Sequence, residues 1–348
     1  ILGGGYAGVK AGKVLHKIFK NDSNIEITLI DKHPFHTLMT ELHEVAGHRT
    51  EPNAIRVDLR KIFAERKVKV VTDEILTADL KKQELKSEKY IYNYDYLILA
   101  TGNEANFFGV DGAKEHSFTL WSYKDAVTLR EHIRSMFEKA AAEDDPEVRK
   151  RLLTFVVCGG GFTGVEMAGE LGEAQVHLAE EYGINPKEVK IYNIEAMDRI
   201  LSMLEDKKQI DKVEKRFKKL GIELLKNAPI VKAEENQIIL KDGTIIPTST
   251  LIWTAGIKNN ICAESLGLTQ GQSCRIVVNE YMQTEDFKNV FAVGDNSYYE
   301  DEKGVMPQIV EAAEQSGHTA ALNVAALIKG TELHTHKQNY HGFMVSIG

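Results

Sequence analysis

Two rhythms alternate along the chain. Short apolar runs that suit buried parallel strands occur in "IEITLIDK" (25–32), "YDYLILATG" (94–102), "VVC" (156–158), "VKIYNIEA" (189–196) and "STLIWTAG" (249–256). Between them lie stretches where apolar residues return every third or fourth position. These predict helices in "AGVKAGKVLHKIF" (7–19) and "GVEMAGELGEAQVHLAEEYG" (164–183). In the stretch 122–153 the positions Ala126, Leu129, Ile133, Phe137 and Ala140 keep one face apolar until the acidic break before Pro146, which predicts a connecting helix. A small-residue helix is expected from about Pro307 to Lys329. Strands alternating with helices place the chain in the α/β class.

The order repeats. From Gly3 the chain reads glycine turn, helix, strand ending on Asp31, hairpin (74–92), then a strand closing at Gly102. From Gly159 it reads glycine turn, helix, strand ending on Glu195, hairpin (230–247), then a strand closing at Gly256. The glycine-to-glycine spans are 99 and 97 residues, so two copies of one dinucleotide-binding unit are expected.

Each copy carries the spacing G-x-G-x-x-G, as Gly3, Gly5 and Gly8 and again as Gly159, Gly161 and Gly164. The first glycine makes the tight turn, the second lets the backbone approach a pyrophosphate, and the third lets helix and strand pack closely. The helix N-terminus then receives the negative charge. Asp31 and Glu195 stand where a carboxylate accepts hydrogen bonds from ribose hydroxyls. At the second site a carboxylate repels a 2'-phosphate, which predicts NADH over NADPH. Two dinucleotides in one chain suggest a relay in which a nicotinamide delivers hydride to a flavin. Glu166, in the first turn after the second glycine cluster, is a candidate for positioning the nicotinamide or relaying a proton.

Composition narrows the field. With 348 residues, two domains are the better expectation; 43% hydrophobic and 27% charged residues describe an ordinary folded protein. The net charge of -8 offers no basic surface for nucleic acid. The Lys/Arg run at 206–221 spaces Ile210, Val213, Phe217 and Leu220 along one face, so its charges form a solvated opposite face. Cys158, Cys262 and Cys274 show neither a C-x-x-C pair nor metal spacing. His33, His36 and His43 lack the partners of a metal site and read as a loop covering a cofactor, while His334 and His336 read as surface residues. No metal is expected. The chain opens on Ile1 and stops in "FMVSIG", a strand-like run, and both ends read as cut.

Together these residues resemble the two-dinucleotide-domain flavoprotein reductases, and within them the type II NADH dehydrogenases, the non-proton-pumping NADH:quinone oxidoreductases. The resemblance covers essentially the whole chain and rests on "GGGYAG" (3–8), "TELHEVA" (40–46), "LATG" (99–102), "GGGFTGVEMAGEL" (159–171), "EYGINPKEVKIYNIEAMDRIL" (181–201), "WTAG" (253–256) and "FAVGD" (291–295). It implies two Rossmann-like, glutathione-reductase-like domains, the second inserted in the first: 1–118 with 276–330 for FAD, 119–275 for NADH with the linking helix, and 331–348 as the start of a C-terminal segment on the quinone and membrane side.

By the same resemblance Gly3, Gly5, Tyr6, Ala7, Gly8, Asp31, Lys32, Thr40, Ala100, Thr101, Gly102 and Asp295 would surround FAD, with Asp295 on the ribityl chain. Gly159, Gly161, Phe162, Thr163, Gly164, Glu166, Glu195 and Gly256 would surround NADH. The quinone side falls on the helix after the Gly-Asp, where the usual Ala-Gln-x-x-x-Gln is replaced by "VEAAEQ": Val310 and Glu311 depart from the pattern and Gln315 keeps it. Glu311 and Gln315 are therefore candidates for both substrate contact and catalysis, and Ile347 borders the same pocket. The resemblance further implies a respiratory-chain enzyme reducing a membrane quinone of the menaquinone type. It would be attached peripherally to the cytoplasmic face of the plasma membrane through a further C-terminal segment, and paired as a homodimer. Rival readings are a sulfide or disulfide reductase, a ferredoxin or rubredoxin reductase, and a redox-sensing protein that holds FAD and NADH without rapid turnover.

Overall fold

The computed structural model describes residues 1–260 and 266–348; Cys262 lies outside the described residues. The chain forms two compact units. The first comprises Ile1–Thr37, Arg56–Glu104 and Ile257–Gly342, and the second Leu38–Ile55, Ala105–Gly256 and Phe343–Gly348. These limits differ from those the resemblance implies: residues 38–55 and 105–118 pack with the second unit, and 257–275, where described, with the first.

In the first unit a parallel sheet grows outward from Leu2. Leu2 bridges Ile30 on one side and Leu99 on the other. Strand Thr28–Asp31 continues to Lys69–Thr72, and Leu97–Leu99 to Val290–Ala292. Continuous apolar strands need both faces covered. One layer comes from the helix Tyr6–Phe19 packed on Val310–Lys329, whose buried face is Ala312, Ser316, Gly317, Ala320, Ala321 and Val324. Small residues permit this contact: a Cβ on Gly317 would lie 2.4 Å from the Ala7 carbonyl oxygen. The late helix starts at Val310, three residues after the expected Pro307, because Ile309 is still extended. The expected hairpin is a three-stranded meander, Ile75–Asp79, Glu84–Ser87 and Ile91–Asn93.

The second unit has a five-stranded parallel sheet in the order Phe118–Thr119, Thr250–Trp253, Thr154–Cys158, Lys190–Ile194, Ile222–Leu225. Its meander, Ile230–Glu234, Gln237–Leu240 and Ile245–Pro247, repeats that of the first unit. The connecting helix runs Tyr123–Ala141, opened by Ser122, whose hydroxyl accepts the Asp125 N–H at 3.0 Å. All five apolar positions expected of it are buried, and Phe137 stacks on Phe155 at 5.7 Å. A buried Phe of this kind is worth roughly 3–5 kcal/mol against Ala. The basic run forms Lys207–Lys219 with Ile210, Val213 and Phe217 buried, leaving its charges on the other face. The short helix Leu42–Ala46 packs on Tyr123–Ala141 and on Phe162–Glu181.

Two sequence expectations fail here. His336 is 2% exposed rather than on the surface. Its ring meets the Thr319 hydroxyl at 3.1 Å and its N–H donates to the Glu280 carbonyl, contacts that only tertiary packing supplies. Residues 343–348 form no strand, because side chains take up their backbone groups: Ser346 N–H donates to Glu166, and the Ile347 carbonyl accepts from Arg216. No helix among the described residues is long and apolar enough to cross a membrane.

Candidate functional site

Each unit holds one glycine turn, and the two agree in detail. Gly3 and Gly159 adopt φ of +110° and +116°, open to glycine alone. Their N–H groups donate to Ile30 and Ile194 carbonyls at 2.8 Å each. A Cβ on Gly8 would sit 1.9 Å from the Gly3 carbonyl oxygen, and one on Gly164 2.0 Å from that of Gly159. Gly5 and Gly161 occupy the N-cap of the 14-residue and 20-residue helices with no side-chain cap, and nothing lies within 4 Å of where their Cβ would be. Two long helices therefore begin with open space over their first amides, a cradle suited to a pyrophosphate.

The acids close the cradles in the same way. Asp31 accepts the Gly4 N–H at 2.6 Å and the His33 N–H at 2.7 Å; Glu195 accepts the Gly160 N–H at 2.5 Å and the Met197 N–H at 2.7 Å. The middle glycine's carbonyl is engaged differently. His36 Nδ1 meets Gly4 O at 2.9 Å, whereas the Leu201 N–H donates to Gly160 O at 2.7 Å.

In the first unit Tyr6 packs edge-on to the His36 ring, at 4.7 Å. The strand ending at Ala100 turns through Thr101 and Gly102, gripped by Asn296. That buried amide accepts the Gly102 N–H at 2.8 Å and donates to Thr101 Oγ1 at 2.9 Å and Gly102 O at 3.0 Å. Next to it Asp295 accepts from Asn103 at 2.9 Å, and burial pushes its carboxyl up to about 6 against the pull of Arg275. Glu311 and Gln315 lie one turn apart at 3.4 Å. Glu311 accepts from the His341 ring at 2.5 Å and its N–H at 3.0 Å, which hold its carboxyl below the usual range. Gln315 bonds both the N–H and the carbonyl of Asn339.

In the second unit Phe162 and Thr163 open the helix after Gly161, and the Phe162 ring stacks on Phe343 at 5.3 Å. A Cβ on Gly256 would lie 2.4 Å from the Phe108 ring. Glu166 points to the segment 43–50 and to the chain's last residues. His43 Nδ1 is 3.8 Å from Glu166 Oε2, and the Ser346 N–H donates to Oε1 at 3.3 Å. Burial raises Glu166 to about 7.

The residues expected around FAD thus fall in the first unit, including exposed Lys32, with one exception: Thr40 belongs to the second unit. Those expected around NADH all fall in the second. Glu311 and Gln315 are brought together, while Ile347 belongs to the other unit. The histidine loop divides, His36 under the first cradle and His43 beside Glu166. Among the described residues no three His, Cys, Asp or Glu side chains gather as metal ligands. Sequence reading missed Asn296, whose role depends on a strand 194 residues away, and Glu170, which the i, i+4 spacing from Glu166 could have flagged.

A family model described as pyridine nucleotide-disulphide oxidoreductase matches residues 1–317. Similar proteins include the type II NADH:quinone oxidoreductases of Staphylococcus epidermidis ATCC 12228, 29% identical, and Staphylococcus aureus NCTC 8325, 28% identical, each aligned with 100% of this chain and 87% of their own length. Among solved structures, NDH2 from Plasmodium falciparum in complex with NADH matches with a TM-score of 0.88 at 16% identity, covering 100% of this chain and 87% of that one. The sulfide:quinone oxidoreductase of Aquifex aeolicus matches with a TM-score of 0.77 at 19% identity, covering 94% and 76%. At these identities the solved structures speak for the fold.

Proposed function

Because the chain belongs to the pyridine nucleotide-disulphide oxidoreductase family, we propose that it is an FAD-dependent NADH:quinone oxidoreductase that moves two electrons from NADH to a membrane quinone of the menaquinone type without pumping protons. The observation that carries the reading is the pair of uncapped glycine cradles, one in each unit, each closed by a strand-end carboxylate. Similarity along the whole of this chain to proteins named for this activity supports the choice of acceptor.

The residues present fit both cofactors. Gly3 to Gly8 with Asp31, Thr101, Gly102 and Asp295 would hold FAD, and Gly159 to Gly164 with Glu195 and Gly256 would hold NADH. Bound there, FAD would accept a hydride equivalent from NADH and release two electrons to the quinone. The chain's own part is to bind, orient and manage protons. The helix amides after Gly5 and Gly161 take the pyrophosphate charge, and Asn296 fixes the turn at Thr101 and Gly102. Glu195 favours a free 2'-hydroxyl. Glu166, its carboxyl raised to about 7 by burial, offers a proton on the nicotinamide side. Glu311 and Gln315 shape the acceptor side, and the His341 contact keeps Glu311 ionised. The acceptor is lipid-soluble, so the protein works peripherally at a membrane surface, on its cytoplasmic face; pairing of two copies belongs to the same proposal.

A disulfide reductase would need a reactive thiol. Cys158 is buried in its strand and burial raises its pKa, the opposite of an activated nucleophile. The test is an acceptor screen. Purified protein should carry flavin and oxidise NADH with a menaquinone analogue; turnover that ignores quinones but proceeds with a ferredoxin, a disulfide or sulfide would overturn the assignment.

A further inference from the structure

On the Phe162–Glu181 helix Glu166 and Glu170 stand at i and i+4, on one face. Glu170 is 2% exposed, unusual for a carboxylate. From the same unit, residues 43–50 face this pair with His43, Glu44 and Arg49. Arg49 bridges Glu44 Oε1 at 2.9 Å and Glu170 Oε1 at 2.8 Å. Thr50 Oγ1 donates to the other Glu44 oxygen at 2.7 Å. The Arg49 contact to Glu170 is an ion pair without hydrogen-bond alignment, so Glu170 Oε1 has no hydrogen-bond partner among the described residues, nor has His43 Nε2. Gly47 presses against Glu170 so closely that a Cβ there would lie 2.7 Å from the Glu170 Cβ.

The charges do not balance. Three carboxylates, buried Glu170 and half-buried Glu44 and Glu166, face the Arg49 guanidinium, and a surplus of negative charge partly removed from water is costly. His43 does not offset it, since burial holds its ring neutral, lowered to about 4. On the next turn Glu173 is occupied by Arg216. The tail contributes only the Ser346 N–H. The inexpensive remedy is a retained proton, and burial raises both Glu166 and Glu170 to about 7. The first copy of the repeat has no such device: its matching positions are Lys10 and Val14.

We propose that Glu170, held by Arg49, is a positioning residue that keeps one proton on the Glu166–Glu170 pair, so that Glu166 presents a protonated carboxyl at neutral pH. This rests on the proposed reading in which Glu166 offers a proton on the nicotinamide side during the overall reduction of a quinone by NADH. Reducing a quinone to a quinol takes two electrons and two protons, and the hydride of NADH supplies both electrons and one proton. The other proton leaves the Glu166 O–H, the carboxylate left behind faces Arg49, and solvent returns the proton on the side where Arg49 is exposed and Glu44 half-buried.

The test is infrared titration of the FAD-loaded protein, following the C=O stretch of protonated carboxylic acid around neutral pH, where most surface carboxylates are already ionised. Glu166→Gln should lower the band's amplitude, leaving what Glu170 and Asp295 contribute. Glu170→Gln deletes a negative neighbour and should move its midpoint to lower pH by about one unit or more, while Arg49→Gln deletes a positive one and should move it to higher pH. Opposite displacements separate this role from structural damage, which would not give opposed signs. An amplitude that Glu166→Gln leaves unchanged, or midpoints that stay put or move together, overturns the proposal. The enzymatic reading is tested apart from it, by flavin content and quinone turnover of the same preparations, so the two can fail independently.

Discussion

The two glycine cradles are copies in geometry and opposites in the helical turn that each one leads into. Both have a positive-φ first glycine, an uncapped helix start, and a strand-end acid that accepts the middle glycine's N–H at 2.6 or 2.5 Å. Two residues past the third glycine they part. The first copy places Lys10 there, its ammonium 3.4 Å from Glu314 and partly solvated; the second places Glu166, beside His43, with buried Glu170 a turn later. In the proposed reading the shared part binds nucleotide and the divergent part handles a proton. A nucleotide's pyrophosphate asks the same of both copies, whereas proton handling needs a buried carboxylate in one of them.

The largest effects should come from adding one methyl group to either cradle. Gly8→Ala and Gly164→Ala each drive a Cβ into a backbone carbonyl, at 1.9 and 2.0 Å, which costs about 3 kcal/mol or more if the helix cannot shift. The consequences should differ: Gly8→Ala yields protein without flavin absorbance, and Gly164→Ala keeps its colour but loses NADH-dependent bleaching. Loss of flavin from the Gly164 variant alone would reverse the assignment of cofactors to copies.

Next, Glu166→Gln should lower quinone-dependent turnover by about 100-fold with flavin content unchanged. The matching change in the first copy, Lys10→Ala, removes a partly exposed ion pair and should cost less than about 1 kcal/mol by thermal unfolding. Equal losses in the two variants would erase the distinction.

The carboxylate pair also predicts how stability varies with pH. Glu166 and Glu170 titrate near 7 in the folded chain against 4.5 ordinarily. The folded state therefore binds more protons between those values. The associated stability is fully present below about 4.5 and is lost as pH rises through 7. His43, His132 and His336, each lowered from 6.5 to about 4, act in the opposite sense: their contribution is present above 6.5 and lost as pH falls through 4. The difference between Glu170→Gln and the parent isolates the carboxylate. Denaturant titrations should show the variant gaining on the parent from pH 4.5 to 7, by about 1.4 kcal/mol for each unit of displacement removed.

A smaller effect concerns nucleotide choice. Glu195→Ala frees the Gly160 and Met197 N–H groups and deletes the charge facing a 2'-phosphate, so the preference in kcat/KM for NADH over NADPH should fall by about tenfold. A parent enzyme equally efficient with both nucleotides would contradict the role given to Glu195.

Legibility in the sequence followed the range of the interactions. The cradles, their acids and the connecting helix announce themselves because spacing within 30 residues or so dictates them: G-x-G-x-x-G, an apolar strand, the 3.6-residue rhythm of Ala126 to Ala140. The unit to which residues 38–55 belong was not legible, since it turns on His43, Glu44 and Arg49 meeting a helix more than 100 residues later. His336 misled for the same reason: a polar segment without periodicity reads as surface until Thr319 and Tyr299 close over it. The third strand of each meander, Ile91–Asn93 and Ile245–Pro247, was hidden by being too short to show alternation.

Anaerobic stopped-flow spectroscopy of the flavin tests the central claim most directly. NADH should bleach the oxidised flavin in a single transient, and a second mix with a menaquinone analogue should restore the colour completely. Flavin that NADH does not bleach, or that a quinone leaves reduced while a disulfide or an iron-sulfur protein reoxidises it, would contradict the account.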